Sequence, residues 1–436
     1  MQRKTISTTL SVLFMGLGQL YNRQWMKGIL FLAAGLTAIY LFSVIGLPSY
    51  LKGLITLGEQ PSGMVKVGKI MKMVEGDHSI FLMIKGLMAA LSFLLAAAIY
   101  ALNIRDAYKV GKERDAGIAP NNFRQSLQLV NQKNFAYLVL ALPVVTILFL
   151  TILPLIFSIL LAFTNYADPI LPPANLIDWV GFSNFVKLVS LKVWSNTFFG
   201  VLLWTMIWAI LATVTTYIGG ILIAVLIQQP RIRFKVFWRT VMIIPFAIPS
   251  MISLLVMRNM FNNKFGPVND IMRWIGFDGI PWLTDPIWAR VTLVLVNMWI
   301  GIPVTMILAI GVLTTIPRDL YEAAEVDGAN SFQKFRSITM PMVLFSTAPI
   351  LIMQFAGNIN NFNVVYLMTD GNPVNSNYQY AGHTDLLVTW LYKLALNQSQ
   401  YSFASVIGII IFLIIASLSI MSYRRTRSYK EEDMIA

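Results

Sequence analysis

The sequence predicts an all-α, polytopic membrane protein with about eight transmembrane helices. Hydrophobic residues make up 57% of the 436 positions and charged residues only 12%, whereas a soluble domain typically carries about 25% charged residues. A helix needs roughly 20 apolar residues to cross about 30 Å of hydrocarbon, and long apolar stretches of that kind recur along the chain. They run approximately over residues 28–47, 80–102, 136–163, 197–227, 240–261, 288–313, 344–367 and 402–423.

An additional apolar run, residues 8–20, precedes the first of these spans. It superficially resembles a secretion signal, but no small-residue cleavage site follows and Tyr21 to Trp25 interrupt it. We interpret the run as an uncleaved interfacial or short re-entrant segment. The sequence leaves open whether it spans, re-enters or lies on the membrane.

The polar stretch 103–135 suggests a division of the chain. We predict an N-terminal segment, 1–130, with two transmembrane helices and a cytoplasmic linker. A six-helix core follows at 131–430, and 431–436 form a C-terminal tail. Pro143, Pro154, Pro245, Pro249 and Pro303 lie within predicted spans and are expected to kink them, because proline removes a helix hydrogen bond.

The distribution of positive charge predicts the orientation. With the N-terminus inside, 21 of the 33 Lys and Arg residues fall in the inner connecting segments and 10 in the outer ones. Cytoplasmic loops of membrane proteins carry such an excess. We therefore expect a multi-pass protein of the cytoplasmic membrane with both termini in the cytoplasm. The net charge of +13 reflects this asymmetry rather than nucleic-acid binding.

Several kinds of chemistry are excluded or disfavoured. The chain has no cysteine, and His78 and His383 lie far apart, so we expect no metal site. The glycine pattern over residues 63–69 mimics a phosphate-binding loop, but Ile70 replaces the required Ser or Thr. No nucleophile with an oriented base is recognisable. The sequence thus predicts a chain that is not an enzyme and hydrolyses no ATP.

Residues 322–341 form a polar island between the sixth and seventh spans, within a predicted cytoplasmic loop at 316–343. Pro317 suits the start of a helix, since its missing N–H would be unpaired there in any case. Gly328 supplies a helix stop, Ser331 is expected to cap a second short helix, and Pro341 is expected to end the island near the membrane. We predict two short helices joined by a glycine turn on the cytoplasmic side.

The spacing within this island resembles the loop by which permeases of ABC importers engage their ATPase. It departs at Met340, where that family usually carries leucine. The resemblance implies a non-catalytic transport subunit that binds no cofactor itself, with ATP and Mg²⁺ used by a partner ATPase. The residues that carry the resemblance, and that would couple to the ATPase, are Glu322, Ala323, Ala324, Asp327, Gly328, Ile338 and Pro341.

Two polar clusters inside the sixth and seventh spans are candidates for the substrate path. Each places its members on one helical face, and amides beside glycines suit neutral sugar hydroxyls and ring faces. Charged groups are missing from these faces, which disfavours a charged substrate or a proton relay. Hydrogen bonding between helices is an equally good explanation for any single asparagine. The faces comprise Asn297, Ile300, Gly301 and Val304, and Gln354, Gly357, Asn358 and Asn361.

Residues 358–390 resemble the larger, eight-span permease subunit of maltose/maltodextrin ABC importers, and the resemblance extends over roughly 136–430. It implies that both faces line a sugar site midway through the membrane. Val304 and Gly357 replace aromatic residues of a maltose-transporting relative, and Gln354 replaces a smaller polar residue. These departures are compatible with a longer maltodextrin, or with another oligosaccharide, as the substrate.

The same resemblance implies a set of partners. These are a second homologous permease subunit, a dimeric ABC ATPase, an extracellular sugar-binding protein, the oligosaccharide and membrane lipid. His383 and Asp385 resemble a catalytic pair, but without a nucleophile beside them a loop that docks the binding protein is the better explanation. The segment 164–196 is too short for the large extracellular insertion of enterobacterial relatives. That favours a Gram-positive or related bacterial source with a lipid-anchored binding protein.

Two other classes remain as alternatives. An ion-coupled secondary transporter should carry acidic residues within its spans or broken helices related by an internal repeat, and neither is evident. A membrane enzyme would need a catalytic constellation. The identity and length of the sugar, the identity of the partner subunits and the resting conformation are not predicted.

Overall fold

The computed structural model describes residues 2–67, 70–121, 125, 128, 135–229 and 231–424. The chain divides into two compact units, Met1–Gly181 and Phe182–Ala436. The sequence-based boundary at 130 and 131 and the tail at 431–436 both lie outside the described residues, so that division stays a prediction.

The first unit is helical, with one antiparallel hairpin in which Gly63 pairs with Val74. A π-helical turn, Leu148–Ile152, joins its last two helices. Its elements are α1 (Arg3–Leu13), α2 (Leu17–Tyr21), α3 (Trp25–Ser43), α4 (Leu47–Thr56), β1 (Gly63–Val67), β2 (Ile70–Val74), α5 (Ser79–Asp115), α6 (Phe135–Ile147) and α7 (Leu153–Leu161).

The N-terminal apolar run, residues 8–20, forms two short helices rather than one. α1 has 11 residues and is therefore about 17 Å long, too short to span the membrane. The chain reverses at Gly16, whose φ is 90°. A Cβ there would lie 2.3 Å from the carbonyl oxygen of Gly28. The run therefore folds back against the start of α3.

The first part of the predicted linker is a helix. α5 continues through Asn103 to Asp115, because α1 and α2 satisfy its polar groups. The Asn103 side chain accepts a hydrogen bond from the Gly16 N–H at 3.0 Å and donates to the Ser11 carbonyl at 3.1 Å. The Gln19 amide donates to the Asn103 carbonyl at 2.9 Å. Most of the remaining linker lies outside the described residues.

The second unit consists of helices joined by loops, and among its described residues the loop between its helices Phe362–Thr369 and Leu387–Tyr392 contains one isolated β-bridge, Val374 to Gly382. π-helical turns occupy Phe335–Thr339 and Lys393–Asn397. Its helices are α8 (Ser183–Ser190), α9 (Lys192–Gln228), α10 (Lys235–Ala247), α11 (Ser250–Met260), α12 (Pro267–Trp274), α13 (Pro286–Leu313), α14 (Arg318–Val326), α15 (Ser331–Lys334), α16 (Met340–Ile359), α17 (Phe362–Thr369), α18 (Leu387–Tyr392) and α19 (Tyr401–Arg424).

The number of spans agrees with the prediction. Among the described residues, 7 helices are long and apolar enough to cross a membrane, and a bent pair raises the number to 8. The pair is α10 and α11, which meet at 92°. Pro245 lies inside α10 and Pro249 precedes α11, so this break is where those two prolines predicted a kink. Pro143 and Pro303 lie inside α6 and α13, and both helices continue through them. The all-α, polytopic class is confirmed.

The core of the second unit forms where α9 and α13 meet. A Cβ at Gly220 would lie 2.5 Å from the Cβ of Thr305, and one at Gly301 would lie 2.6 Å from Cγ2 of Thr216. Small residues thus let the two backbones approach closely, as is common between membrane helices. The buried cluster beside this contact comprises Trp204, Trp208, Ala212, Leu254, Leu293, Val296, Val364, Val365, Met368 and Leu386.

Candidate functional site

Three asparagines of the predicted sugar site meet in the second unit. Asn297 lies on α13, Asn358 near the end of α16, and Asn361 in the break before α17. The Asn361 side-chain amide donates to the Oδ1 atoms of Asn297, at 3.1 Å, and of Asn358, at 3.4 Å. The structure therefore brings the two predicted faces together through their amides.

Helix α9 completes this group, which we call the amide network. The Asn358 amide donates to Oγ1 of Thr213 and the Gln354 amide to Oγ1 of Thr216, both at 2.9 Å. The Trp208 indole N–H donates to the Asn358 carbonyl at 3.1 Å. These α9 residues were missed from the sequence. Thr213 and Thr216 are one helical turn apart within a span, a spacing that marks a polar stripe.

The predicted residues differ in their exposure. Asn297 and Asn358 are each only 7% exposed, so their amides act mainly between helices. Ile300 packs against the buried core cluster. Val304 is 38% exposed, and nothing lies within 4 Å of a Cβ placed at Gly357. Val304 and Gly357 are thus both open positions.

Gly301 has a structural reason to be small. Any side chain there would meet Thr216, which would push α13 away from α9 and disturb the bond between Thr216 and Gln354. The amide network and the close helix contact therefore depend on each other.

Two spaces adjoin the amide network. A cavity of about 10 Å³ lies beside Gln354, Tyr217 and Thr305, which is room for about one water molecule. A groove of about 560 Å³ with mostly apolar walls runs between α9, α16 and α19 and reaches Thr213. Its volume is within the usual range for small-ligand sites, about 300–1,000 Å³. Every side chain of the network is neutral.

The predicted coupling loop consists of α14, a turn, and the start of a long helical run. α14 begins directly after Pro317, and Gly328 has a φ of 76°. The ammonium of Lys334 pairs with the carboxylate of Glu325 across the turn. The Tyr321 hydroxyl bonds the Thr339 hydroxyl at 2.9 Å. These contacts hold the two arms of the loop together.

Two local predictions for this loop were wrong. The cap of the second helix is Asn330, not Ser331, because the Asn330 side chain accepts from the Gln333 N–H at 2.9 Å while the Gln333 side chain accepts from the Asn330 N–H at 2.7 Å. Pro341 does not end the segment. It lies in the first turn of α16, and the preceding π-helical turn, Phe335–Thr339, carries the helix past the missing proline N–H.

The loop presents a mixed acidic and apolar surface. Glu322, Ala323, Asp327, Gly328 and Pro341 are exposed, whereas Ala324 and Ile338 are half-buried. The side chains of Val326 and Phe332 are 88% and 68% exposed. We did not predict these two residues from the sequence, although apolar residues within a polar segment are a recognisable sign of a contact surface.

The segment between α17 and α18 is tied down by a buried ion pair. Asp385 is 1% exposed, and the Lys393 ammonium lies 2.9 Å from its Oδ2. The Asp385 carboxylate also accepts from the Gly382 N–H and the Thr389 hydroxyl. Burial, and to a smaller extent the charge of Arg290, lowers the pKa of His383. Asp385 thus supports the segment from inside and presents no docking surface.

Comparison with known proteins agrees with this architecture. The family described as "Binding-protein-dependent transport system inner membrane component" matches residues 217–426. The galactooligosaccharides transport system permease protein GanP of Bacillus subtilis (strain 168) is 40% identical over 433 residues, 99% of this chain and 100% of that protein. The maltodextrin transport system permease protein MalC of Streptococcus pneumoniae serotype 4 (strain ATCC BAA-334 / TIGR4) is 37% identical over 429 residues, 96% and 95% of the two chains.

More distant matches agree. The maltose/maltodextrin transport system permease protein MalF of Escherichia coli (strain K12) is 35% identical over 267 residues, 60% of this chain and 52% of that protein. A chain of a bacterial alginate ABC transporter shares the fold, with a TM-score of 0.55 and 23% identity over 68% of this chain and 96% of that one. This chain therefore belongs to the family of binding-protein-dependent transport system inner membrane components, as an ABC-importer permease close to the MalF-type subunits.

Proposed function

We propose that this sugar importer permease carries neutral oligosaccharides of the maltose/maltodextrin type across the cytoplasmic membrane by alternating access. The observation that carries the proposal is the amide network, in which Asn297, Asn358 and Asn361 meet between membrane helices without any charged group. Amides both donate and accept hydrogen bonds, which is what sugar hydroxyls require. The open positions at Val304 and Gly357 leave room beside the network for sugar rings.

Galactooligosaccharides are a second candidate substrate. The specific observation in their favour is the 40% identity with GanP over the full length of that protein. Both candidates are neutral oligosaccharides, so the network chemistry suits either one. Val304 and Gly357 carry no aromatic ring, which fits a sugar whose rings do not stack on the permease at these positions.

The transport cycle would depend on partners. We propose a second permease subunit, a dimeric ABC ATPase that uses ATP and Mg²⁺, and an extracellular sugar-binding protein. The chain itself would be non-catalytic, with both termini and the 316–343 loop in the cytoplasm. The exposed Val326 and Phe332 beside Glu322 and Asp327 would give the ATPase an apolar contact rimmed by charge, a common anatomy for interfaces.

Uptake of a labelled sugar panel tests the substrate. Cells that lack their own oligosaccharide importers and express this permease with its partners should take up maltodextrins, and unlabelled maltodextrins should compete. If galactooligosaccharides enter and maltodextrins neither enter nor compete, the second candidate replaces the first. Uptake that persists without any ABC ATPase would contradict both.

A pair of variants separates sugar contact from helix packing. Asn358→Ala and Thr213→Val both remove the bond that joins α16 to α9, and Asn358→Ala also removes one of the two acceptors of the Asn361 amide, which keeps its bond to Asn297. Each variant is expected to cost about 1–3 kcal/mol in the free energy of unfolding because a buried polar partner is left unpaired. If Asn358 also contacts sugar, its variant should lose about tenfold more uptake than the Thr213 variant at equal membrane abundance. Equal uptake by the two variants would assign Asn358 to packing alone.

A further inference from the structure

A polar recess of about 210 Å³ lies at the N-terminal end of α3 in the first unit. Its walls come from the turn between α2 and α3, the first turn of α3 and the last turn of α5, together with the chain just beyond α5. The residues that matter for its chemistry are Arg23, Gln24, Trp25, Lys27 and Arg114. None of them belongs to the amide network or to the coupling loop.

The recess concentrates positive charge that its surroundings only partly neutralise. Lys27 pairs with Asp106 at 3.3 Å. Within the described ranges, Arg23 and Arg114 form no ion pair, and the Nε atom of Arg114 is buried without a hydrogen-bond partner. The nearby carboxylate of Asp115 accepts from the backbone N–H groups of α1 at 2.8 and 2.9 Å. Two guanidinium groups therefore remain available to an anion.

The recess lies at a membrane surface, because its residues lie at the ends of the apolar parts of α3 and α5. Trp25 is the first residue of α3, a candidate membrane span, and is 63% exposed. Tryptophan is enriched at the level of lipid headgroups. On α5, the apolar part of the helix ends at Leu102, so Arg114 lies beyond the hydrocarbon. The excess of Lys and Arg assigns this end of the unit to the cytoplasmic side.

The chemistry of the recess fits a phosphate group. Guanidinium groups bind phosphate oxygens in pairs through planar N–H donors. The first turn of α3 adds backbone N–H groups that have no partner within the helix, and the helix dipole is positive there. A water molecule occupies about 30 Å³ of liquid. The recess is therefore large enough for a phosphate group and part of a lipid headgroup, but too small for a folded protein.

We propose that this recess binds the phosphodiester headgroup of an anionic phospholipid of the cytoplasmic leaflet. Basic pockets beside membrane helices bind anionic headgroups elsewhere. Here the acyl chains would lie along α3, whose exposed residues Met26, Ile29 and Leu30 follow directly from the recess. The bound lipid would fix the turn between α2 and α3 to the membrane surface.

Lipid binding by the purified full-length protein tests the site. Wild type, Arg23→Gln and Arg114→Gln would be placed in nanodiscs of phosphatidylcholine with a small share of phosphatidylglycerol, and the retained lipid counted by native mass spectrometry. Each variant should bind phosphatidylglycerol about 10- to 100-fold more weakly, the loss expected when a charge-assisted hydrogen bond to a phosphate is removed. Arg105→Gln is the matched control, an exposed arginine of the same helix outside the recess.

Three results would overturn the proposal. The first is unchanged phosphatidylglycerol binding in the Arg23→Gln/Arg114→Gln double variant. The second is an equal loss in the Arg105→Gln control, which would mean diffuse attraction to surface charge. The third is full competition by millimolar inorganic phosphate, which would assign the recess to a free anion.

Discussion

Replacement of Gly328 by alanine is expected to lower sugar uptake by about fivefold to 100-fold while the protein still inserts in the membrane. Gly328 has a φ of 76°, and nothing lies within 4 Å of a Cβ at that position. The substitution therefore adds backbone strain without a clash. A residue other than glycine in this region costs about 1–3 kcal/mol, and that cost falls on the turn between the two arms of the coupling loop.

Asparagine at the same position is the matched control, because it adopts left-handed backbone conformations far more readily than alanine. Gly328→Asn should keep most of the uptake, although it adds a larger side chain. In parallel, co-purification of the ATPase with each variant measures the physical contact between the permease and the ATPase. If the alanine and asparagine variants transport equally well, the positive φ is not what coupling requires.

Replacement of Lys393 by methionine is expected to destabilise the protein by about 3–5 kcal/mol, the usual cost when one partner of a buried ion pair is removed. The Lys393 ammonium bonds Asp385 at 2.9 Å and the Asp370 carbonyl at 2.6 Å. Its loss would leave the Asp385 carboxylate buried without a counter-charge. Thermal unfolding of the purified protein in detergent measures the effect.

A pH dependence distinguishes this mechanism from simple loss of packing. Burial is the largest influence on the Asp385 carboxyl and raises its pKa, while Lys393 opposes that rise. Without Lys393 the pKa should rise further. A raised pKa in the folded state means that the folded protein holds the proton more tightly. The variant should therefore be less impaired at mildly acidic than at alkaline pH.

Two further variants complete the test. Lys393→Met combined with Asp385→Asn removes the stranded charge and should recover part of the lost stability. Lys52→Met breaks an exposed pair with Glu59 and should leave the unfolding midpoint unchanged, since exposed ion pairs contribute little. A Lys393→Met protein as stable as the wild type would mean that the pair contributes nothing.

The spans and the class of protein could be predicted because they depend on apolar length and charge asymmetry, which are local properties of the sequence. The kink at Pro245 and Pro249 was predictable for the same reason. The helical continuation of α5 beyond Asn103 was not, since it depends on hydrogen bonds from residues about 90 positions earlier. A helix whose polar groups bond to residues far away in the sequence therefore has the same polar composition as a linker, and composition alone predicts a linker there.

The candidate site was predictable in part. Asn297, Asn358 and Asn361 were found because amides are costly in a membrane span and therefore conspicuous. Thr213 and Thr216 were missed, since threonine also satisfies its hydroxyl on its own helix, as Thr216 does through the Ala212 carbonyl. Their pairing with α16 depends on how closely α9 and α13 pack, which no single helix encodes.

The helical run continues through the π-helical turn, Pro341 and Pro349, so the second arm of the predicted coupling loop is one end of a long helix. Ser331 and Asn358 belong to the same run, and 27 residues at about 1.5 Å each separate them by about 40 Å. A tilt of roughly 10° about either end would move the other by about 7 Å, more than the width of one sugar ring. A hinge at Pro341 would have absorbed that motion. If the ATPase docks at this loop as proposed, the second arm would carry its motion along the helix towards Asn358.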